Sequence, residues 1–449
     1  MNVTELFLDH LGKMATSTWP KAAMDRARQS LIDYLAVTTA GYRSEQVRWT
    51  PYLEMREGDV SVIGSRKKIQ ALDAAFVNGF NAHVAELDDG HRFGMMHPGA
   101  PVISALLSIQ NERKFSLTEF YESMAIGYEA AIKLARAVQP EAKLRGYHAT
   151  GICGTIGAAM AVAHALSYDR SQTMSALAAA ATGASGLLEV IEDDSELKPY
   201  NAGKAAMSGL HAAGFGRLSH EAPEDVLGGP RGFIQVVSGK EMNGQDFAAL
   251  LETEAAEIQG GYFKPYAACR HCHPAIEAAL LLKGAVADLE GISGILVETY
   301  LLGVLGHDRR EVNSVAAAKM STPYCVADAL VFGRAHVLSY SEASLFDPRL
   351  RKLLPLVQVT EDEALTQKSP GMRSARITLD MADGRTYSHT VDHPKGEPEN
   401  PMSEEELWWK METLLADGPT LDTLAIRAAL ADESGDLDRV LSLFTPKGM

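Results

Sequence analysis

From Ile152 to Leu166 the chain carries Gly154, Gly157, Ala158, Ala161 and Ala165 at three-to-four-residue spacing. That spacing gathers small residues where a neighbouring helix can approach closely, so the segment reads as a packed interior helix. Ala176 to Ala184 reads the same way, and Lys198 to Ala213 makes a further helical segment. Such segments narrow the fold to a mainly α body with helices packed on helices.

The helical period extends through most of the first 260 residues. Trp19-Pro20 opens a helix through Ala27, Leu31, Tyr34 and Leu35, which Gly41 is expected to stop. Leu72, Phe76, Gly79, Phe80, Val84 and Leu87 predict a second helix with those residues as its buried stripe. Pro98 or Pro101 starts a third from Val102 to Gln110, and Ser116 with Glu119 caps a fourth from Leu117 to Val138. After about Gly260 the character changes. Pro274 to Leu289 reads as a helix and Ile295 to Leu302 as a strand. Ala375, Ile377, Leu379 and Met381 alternate with polar residues before an Asp383-Gly384 turn into Arg385 to Val391, a hairpin signature. Pro394 to Pro401 is rich in breakers, and Ser403 with Glu406 opens a last helix. The fold class is therefore mainly α with an α+β second domain. A helical domain spans 1–261 and is completed by 397–449, and the α+β domain is inserted at 262–396.

Charge narrows the partners. With 42 basic against 58 acidic residues and a net charge of −16, the chain lacks the basic excess that nucleic acid or an anionic membrane surface requires. Ser171 to Leu188 is too weakly apolar for a membrane span, and Met1 to Glu5 does not begin a signal peptide. Four cysteines in a chain of this size argue against a disulfide framework. A cytoplasmic protein with free thiols is the expectation.

Reactive side chains gather in five places: Glu86 to Gly99, Tyr147-His148, Lys204, Lys264 to His273, and Tyr324. The first holds Glu86, Asp88, Asp89, His91, Arg92 and His97 at the end of a helix, where the macrodipole disfavours negative charge. Either His91 or Arg92 repairs that conflict, or the stretch does chemistry. Cys269-Arg270-His271-Cys272-His273 invites a metal reading, but a structural zinc site needs a partner pair, and Cys153 and Cys325 are isolated in sequence. No metal is expected. No G-x-S-x-G elbow, P-loop or dinucleotide fingerprint stands in a suitable context.

Taken in order, several short stretches resemble the MmgE/PrpD family, which includes 2-methylcitrate dehydratase, cis-aconitate decarboxylase and iminodisuccinate epimerase. They are Ile32-Asp33-Tyr34-Leu35 through Gly41, Ala75-Phe76-Val77-Asn78-Gly79 with His83 and the acidic run, and His97-Pro98-Gly99. Gly146 to Gly151, Gly203-Lys204-Ala205-Ala206, Gly229 to Phe233, Lys264-Pro265-Tyr266 with Cys269 and His273, and Ser321 with Tyr324 follow. Pro394-Lys395-Gly396 with Asn400 to Ser403 closes the set. The resemblance implies that the inserted domain is a lid, that the protein is a homodimer, and that the site lies in the interdomain cleft without metal or organic cofactor. Carried over, the family's site falls on Glu86, His97, His148, Lys204, His273 and Tyr324. Glu86 stands where dehydratases and decarboxylases have aspartate, Gly90 where they have threonine, and Tyr147 where Phe or Trp is expected. These departures look closer to the iminodisuccinate epimerase branch.

The expected chemistry is cofactor-independent proton transfer at a carbon α to a carboxylate of a small di- or tricarboxylate. Lys204 and Tyr147 are the expected epimerising pair. His97 and His148 orient carboxylates, or serve as acid and base if the reaction is instead dehydration or decarboxylation, and Tyr324 completes the catalytic set. Glu86, Asp89, His91, Arg92, Lys264 and His273 are expected to bind substrate, aided by backbone N–H groups of the helices that start after Pro98 and near Gly151. A non-catalytic carboxylate-binding protein of the same fold is the remaining alternative.

Overall fold

The structure, a computed structural model, describes residues 1–193, 195–286, 288–418, 421–432 and 434–446. Seven helices carry the argument in the first half: α1 (Lys21–Glu54), α2 (Ala71–Val84), α3 (Gly99–Leu107), α4 (Leu117–Val138), α5 (Ala149–Ala165), α6 (Arg170–Gly183) and α7 (Lys198–Gly216). Helix α5 is the hub, packed against α3, α4, α6 and α7. Every residue of α5 but His164 is buried, as its small-residue spacing requires. The capping box of Ser116 and Glu119 starts α4 where the sequence put it.

Two helices differ from the sequence reading. Gly41 does not stop α1, which continues to Glu54. A Cβ at Gly41 would lie 2.0 Å from the carbonyl oxygen of Asn81, so glycine there permits contact between α1 and α2 rather than an end. In α2 the buried face is not the large-residue stripe. Leu72 is 39% exposed, and Phe76 and Phe80 are half-buried around Trp49 and Tyr52. Ala74, Ala75, Val77, Asn78, Asn81, Ala82 and His83 are buried instead. Two asparagines make that polar face tolerable. Asn78 accepts from Ile63 N–H and donates to the Ser61 carbonyl, and Asn81 accepts from the Trp49 indole.

A two-residue ribbon pairs β1 (Gly90–His91) antiparallel with β2 (Gly261–Tyr262), fastening the acidic stretch to the second half of the chain. Beyond it, β3 (Ile292–Thr299), β4 (Val357–Glu361), β5 (Ala375–Met381) and β6 (Thr386–Val391) form one sheet in the order β4-β3-β5-β6. Strands β3 and β4 are parallel, and the other pairs are antiparallel. The expected alternation of β5 is borne out, with Ala375, Ile377, Leu379 and Met381 buried. They face α8 (His273–Ala285), which packs on β5 and β6 and in turn against α9 (Thr322–Phe332). The predicted strand Ile295 to Leu302 begins earlier and ends at Thr299, where Leu301–Val304 turns helical.

Helix α10 (Glu404–Leu415), capped by Ser403 and Glu406, returns to pack on α1. Its Lys410 passes inward and donates to Asp33 and to the carbonyl oxygen of Leu87. Among the described residues no helix is long and apolar enough to cross a membrane.

Candidate active site

The end of α2 begins the site. Val84 closes the helix, and Glu86 then takes a left-handed conformation (φ 55°), which turns the chain back under its own last turn. That turn buries Glu86, Asp88 and Asp89 together with His83 and His97. The charges are matched from a distance in sequence rather than by the adjacent cations. Lys198 and Lys264 donate to Glu86, the latter at 3.2 Å. His83 Nδ1 donates to Asp88 at 2.8 Å, and Lys264 lies 3.7 Å from the same carboxylate. Burial alone would raise both acids, but Lys198 and Lys264 at Glu86, and Lys264 with the hydrogen bond from His83 at Asp88, outweigh it and hold both well below the usual range. Lys264 is raised despite burial by the same two acids.

Asp89 behaves oppositely. Burial lifts it to about 7, against the hydrogen bond it accepts from Tyr128 at 2.6 Å and with the charges of Asp33 and Asp88 adding to the rise.

His91 and Arg92, expected to relieve the helix end or to bind substrate, are engaged with other acids and are not among the residues lining the cleft described below. His91 is 3.3 Å from Glu257 and burial lowers it to about 4. Arg92 binds Glu397 and Glu399. Asp89 spends one oxygen on Gly99 N–H, the helix-start donor that was expected for substrate, and Gly151 N–H is taken by the His148 carbonyl. These groups brace the site rather than line it.

A cleft with an empty volume of about 590 Å³, part of it open to solvent, lies against this cluster. One bank comes from residues 95–198 and offers His97, Lys143, Tyr147, His148 and Lys198; the other comes from residues 262–373 and offers Tyr262, Cys269, Arg270, His271, His307 and Arg373. Burial and the neighbouring cations push His97 and His148 well below their ordinary values, so both rings are neutral near pH 7. Their tautomers follow from their partners. His97 Nδ1 faces the carbonyl oxygen of Asp89 at 2.8 Å and must donate to it, leaving Nε2 without a proton. Asn201 Nδ2 donates to the Leu187 carbonyl and lies 3.2 Å from His148 Nδ1, which therefore accepts, so His148 carries its proton on Nε2. The two rings present one base and one N–H donor.

The remaining sequence candidates divide. Tyr147 lines the cleft, and Glu86 lines a neighbouring cavity that shares Lys198 and Met320 as wall. Lys264 is fully buried behind Glu86 and Asp88. Lys204 is not among the cleft's lining residues. Its ammonium donates to the Ser185 carbonyl and hydroxyl, and burial lowers it to about 8. His273 has both nitrogens engaged, Nε2 donating to the Ala268 carbonyl and Nδ1 accepting from Arg270, so it anchors the turn before α8. Tyr324 is fully buried on α9 beside Tyr340, away from the cleft lining. Sequence reasoning passed over Lys143, Lys198, His307 and Arg373 because they stand in no motif; only the fold brings them together. His83 and Asp88 lay within quoted motifs and were given no role.

Among the described residues, His83, Asp88 and His97 are the one set whose ligand atoms fall within 4.8 Å of each other. Lys264 already supplies the positive charge there, and Nδ1 of both rings is committed to protein acceptors, so the set fits a metal poorly. The cysteine pair of the C-x-x-C run splits, Cys269 facing His307 and Cys272 accepting from the Thr322 hydroxyl.

Residues 7–246 match the MmgE/PrpD N-terminal domain, and residues 266–430 match the MmgE/PrpD C-terminal domain. The chain belongs to the MmgE/PrpD family. It is an enzyme of that family. A cis-aconitate decarboxylase of Aspergillus terreus is 24% identical over 442 residues, covering 92% of this chain and 89% of the relative, so the likeness is end to end. The cis-aconitate decarboxylase of Homo sapiens is 23% identical, covering 97% of this chain and 92% of its own. The 2-methylcitrate dehydratase of Cupriavidus necator is 30% identical over 145 residues, 29% of each chain. MmgE/PrpD membership thus rests on both halves, those that supply the two banks of the cleft.

Proposed function

We propose that this protein catalyses cofactor-independent proton transfer at a carbon α to a carboxylate of a small di- or tricarboxylate, with epimerisation of an iminodisuccinate-like acid as the first reading. The supporting observation is the composition of the cleft. In a protein of net charge −16, Lys143, Lys198, Arg270 and Arg373 converge on one cavity beside neutral His97 and His148. Cations so placed select an anionic ligand and stabilise the enediolate that forms when an α proton leaves. Tyr147, Glu86 and Gly90, the departures from the dehydratase and decarboxylase pattern, favour epimerisation within that chemistry.

A lyase reading has its own support. His97 Nε2 and His148 Nε2–H form a base beside an acid, the pair that elimination or decarboxylation uses, and the relatives named above carry those activities. Proton NMR in deuterium oxide over iminodisuccinate, cis-aconitate and 2-methylcitrate separates the two. Deuterium entering the recovered acid without net turnover supports epimerisation. Carbon dioxide or an elimination product would replace it with the lyase reading, and no change in any acid would leave a binding protein.

We further infer that the segment 262–396 acts as a lid over the helical domain and that the chain forms a homodimer. The apolar groove of Leu72, Ala178, Ala179, Met207 and Phe215 between α2, α6 and α7 suits a second copy. Light scattering on the purified protein tests the dimer, and a monomer mass would end that part of the proposal.

A further inference from the structure

The proton-transfer reading leaves one pair in the cleft without a role. Cys269 Sγ lies 3.8 Å from Nε2 of His307. The other nitrogen of that ring is 2.8 Å from the Met320 carbonyl oxygen and so carries a proton that it donates there, which fixes the ring with Nε2 towards sulfur. The Cys269 backbone is pinned too, its N–H donating to the Lys319 carbonyl at 2.8 Å. Both side chains line the cleft that His97, Tyr147 and His148 line from the other bank.

A buried thiol is commonly an inert core group, as Cys153 is within α5, where burial alone raises it. The surroundings of Cys269 are different. Burial works to raise it, but the charge and hydrogen bond of His307, helped by Lys198 and opposed by Glu86, bring it well below the ordinary thiol value. The sulfur in turn lifts His307 to about 10 against burial. Lys143, Tyr262 and Tyr300 also feel the charge on this sulfur. The pair is placed to share one proton, with the direction of both shifts favouring thiolate and imidazolium, on a wall that carries Lys143, Lys198 and Arg373.

We propose that Cys269, held by His307, is a catalytic proton-transfer residue of this cleft, exchanging a proton with the carbon α to a carboxylate of the bound acid. This rests on the proton-transfer reading above and deepens it by naming the group on the second bank. The Cα–H bond breaks, an S–H bond forms, and the electron pair moves onto the carboxylate as an enediolate held by Lys143, Lys198 and Arg373. The proton that returns to carbon comes from the Tyr147 hydroxyl on the first bank, leaving a phenolate. The opposite epimer runs the same two transfers in reverse. His307 is a positioning residue, touching no substrate atom. The substrate class that follows is an acid with a hydrogen next to one carboxylate and a second carboxylate for the cations.

The test joins two readouts on the intact protein. Wild-type, Cys269→Ser and His307→Gln proteins are measured for α-proton exchange with the three acids in deuterium oxide. Wild-type and His307→Gln proteins are also alkylated with iodoacetamide over a range of pH, with the modified cysteine located by peptide mass mapping. Cys153, Cys272 and Cys325 are fully buried, so Cys269 is expected to react first. Its rate should rise with a midpoint below about 8.5 in the wild type, move up towards that value in His307→Gln, and slow when succinate is present. Cys269→Ser should lose exchange by about a hundredfold or more. An ordinary thiol midpoint in the wild type, a midpoint that ignores His307→Gln, or exchange by Cys269→Ser within about threefold of wild type overturns the proposal. Should Cys269→Ser melt before assay, the alkylation profiles of the other two proteins decide it. A wild type that exchanges none of the acids sinks the proton-transfer reading and the role of the sulfur with it, while alkylation still reports whether the thiolate pair exists.

Discussion

A Cβ placed on Gly90 would lie 2.4 Å from the hydroxyl oxygen of Tyr262 and 2.5 Å from its ring. The two residues are paired across β1 and β2, and the phenol fills the room that a side chain at Gly90 would need. Tyr262 also lines the cleft. Gly90 thus leaves free the space that a tyrosine of the cleft wall occupies. Gly90→Ala should destabilise by about 1–3 kcal/mol, the range for overpacking a filled interior. Adding Tyr262→Ala should return part of that loss. Urea unfolding of the three variants checks it, and additive losses would break the coupling.

Asn201 decides which nitrogen of His148 holds the proton. Asn201→Asp substitutes an acceptor for that donor, drawing the proton to Nδ1 and leaving Nε2 bare like that of His97. Turnover should fall by about a hundredfold or more while the fold persists. Nitrogen NMR of the imidazole reads the tautomer directly; an unchanged tautomer in the variant would contradict the assignment.

Asp89 gives the stability a pH dependence. Its folded value, about 7, lies above the unfolded value near 3.9, so the folded state binds the extra proton between them. The stabilisation from this group is complete below the unfolded value and is lost as pH rises through about 7. Asp89→Asn should be less sensitive over that window, by on the order of 2–4 kcal/mol. Denaturation at pH values on both sides of the window tests it; equal slopes for variant and wild type would remove Asp89 as the cause.

Lys143 titrates within the wall of the cleft itself. Burial lowers it to about 8, so its ammonium is lost as pH climbs past that point. Anion affinity should weaken on that limb, seen as a KM that rises above about pH 8. Lys143→Met should bind weakly at every pH and show no such limb.

Lys204 separates position from chemistry. Its ammonium holds Ser185 at the head of the segment that brings Leu188 and Ile191 to the cleft. Lys204→Met should raise KM more than it lowers kcat. A loss of a thousandfold or so in kcat with KM unchanged would instead place Lys204 at the reacting atoms.

The sequence was most legible where one local rule governs. Capping boxes at Ser116 and Ser403 and the alternation of β5 are short-range devices, and each stands where it was read. It misled where a distant neighbour overrules the local signal. Gly41 has the form of a helix stop but answers to Asn81, forty residues on. The large residues of α2 make a tidy stripe, yet the helix buries its small and amide face because α7 must come close. The site followed the same division. His97, His148 and Tyr147 stand in short motifs and do reach the cleft. Lys198, Lys143 and His307 carry no local mark, and His273 and Arg92 have reactive side chains already satisfied by the scaffold.

Helix α10 has a bearing on how the protein is made. Asp33 is completely buried, burial raises it, and Lys410 is the cation that offsets this, from a helix 377 residues further along the chain. On the ribosome the segment carrying Asp33 emerges long before that cation exists. Until Lys410 arrives, the helical core must either leave Asp33 open to water or bury it protonated, and the carbonyl of Leu87 beside the acidic stretch has no donor from that side. The buried Asp33 site is therefore complete only once α10 has docked, and residues 1–261 expressed alone would lack the cation that offsets this acid.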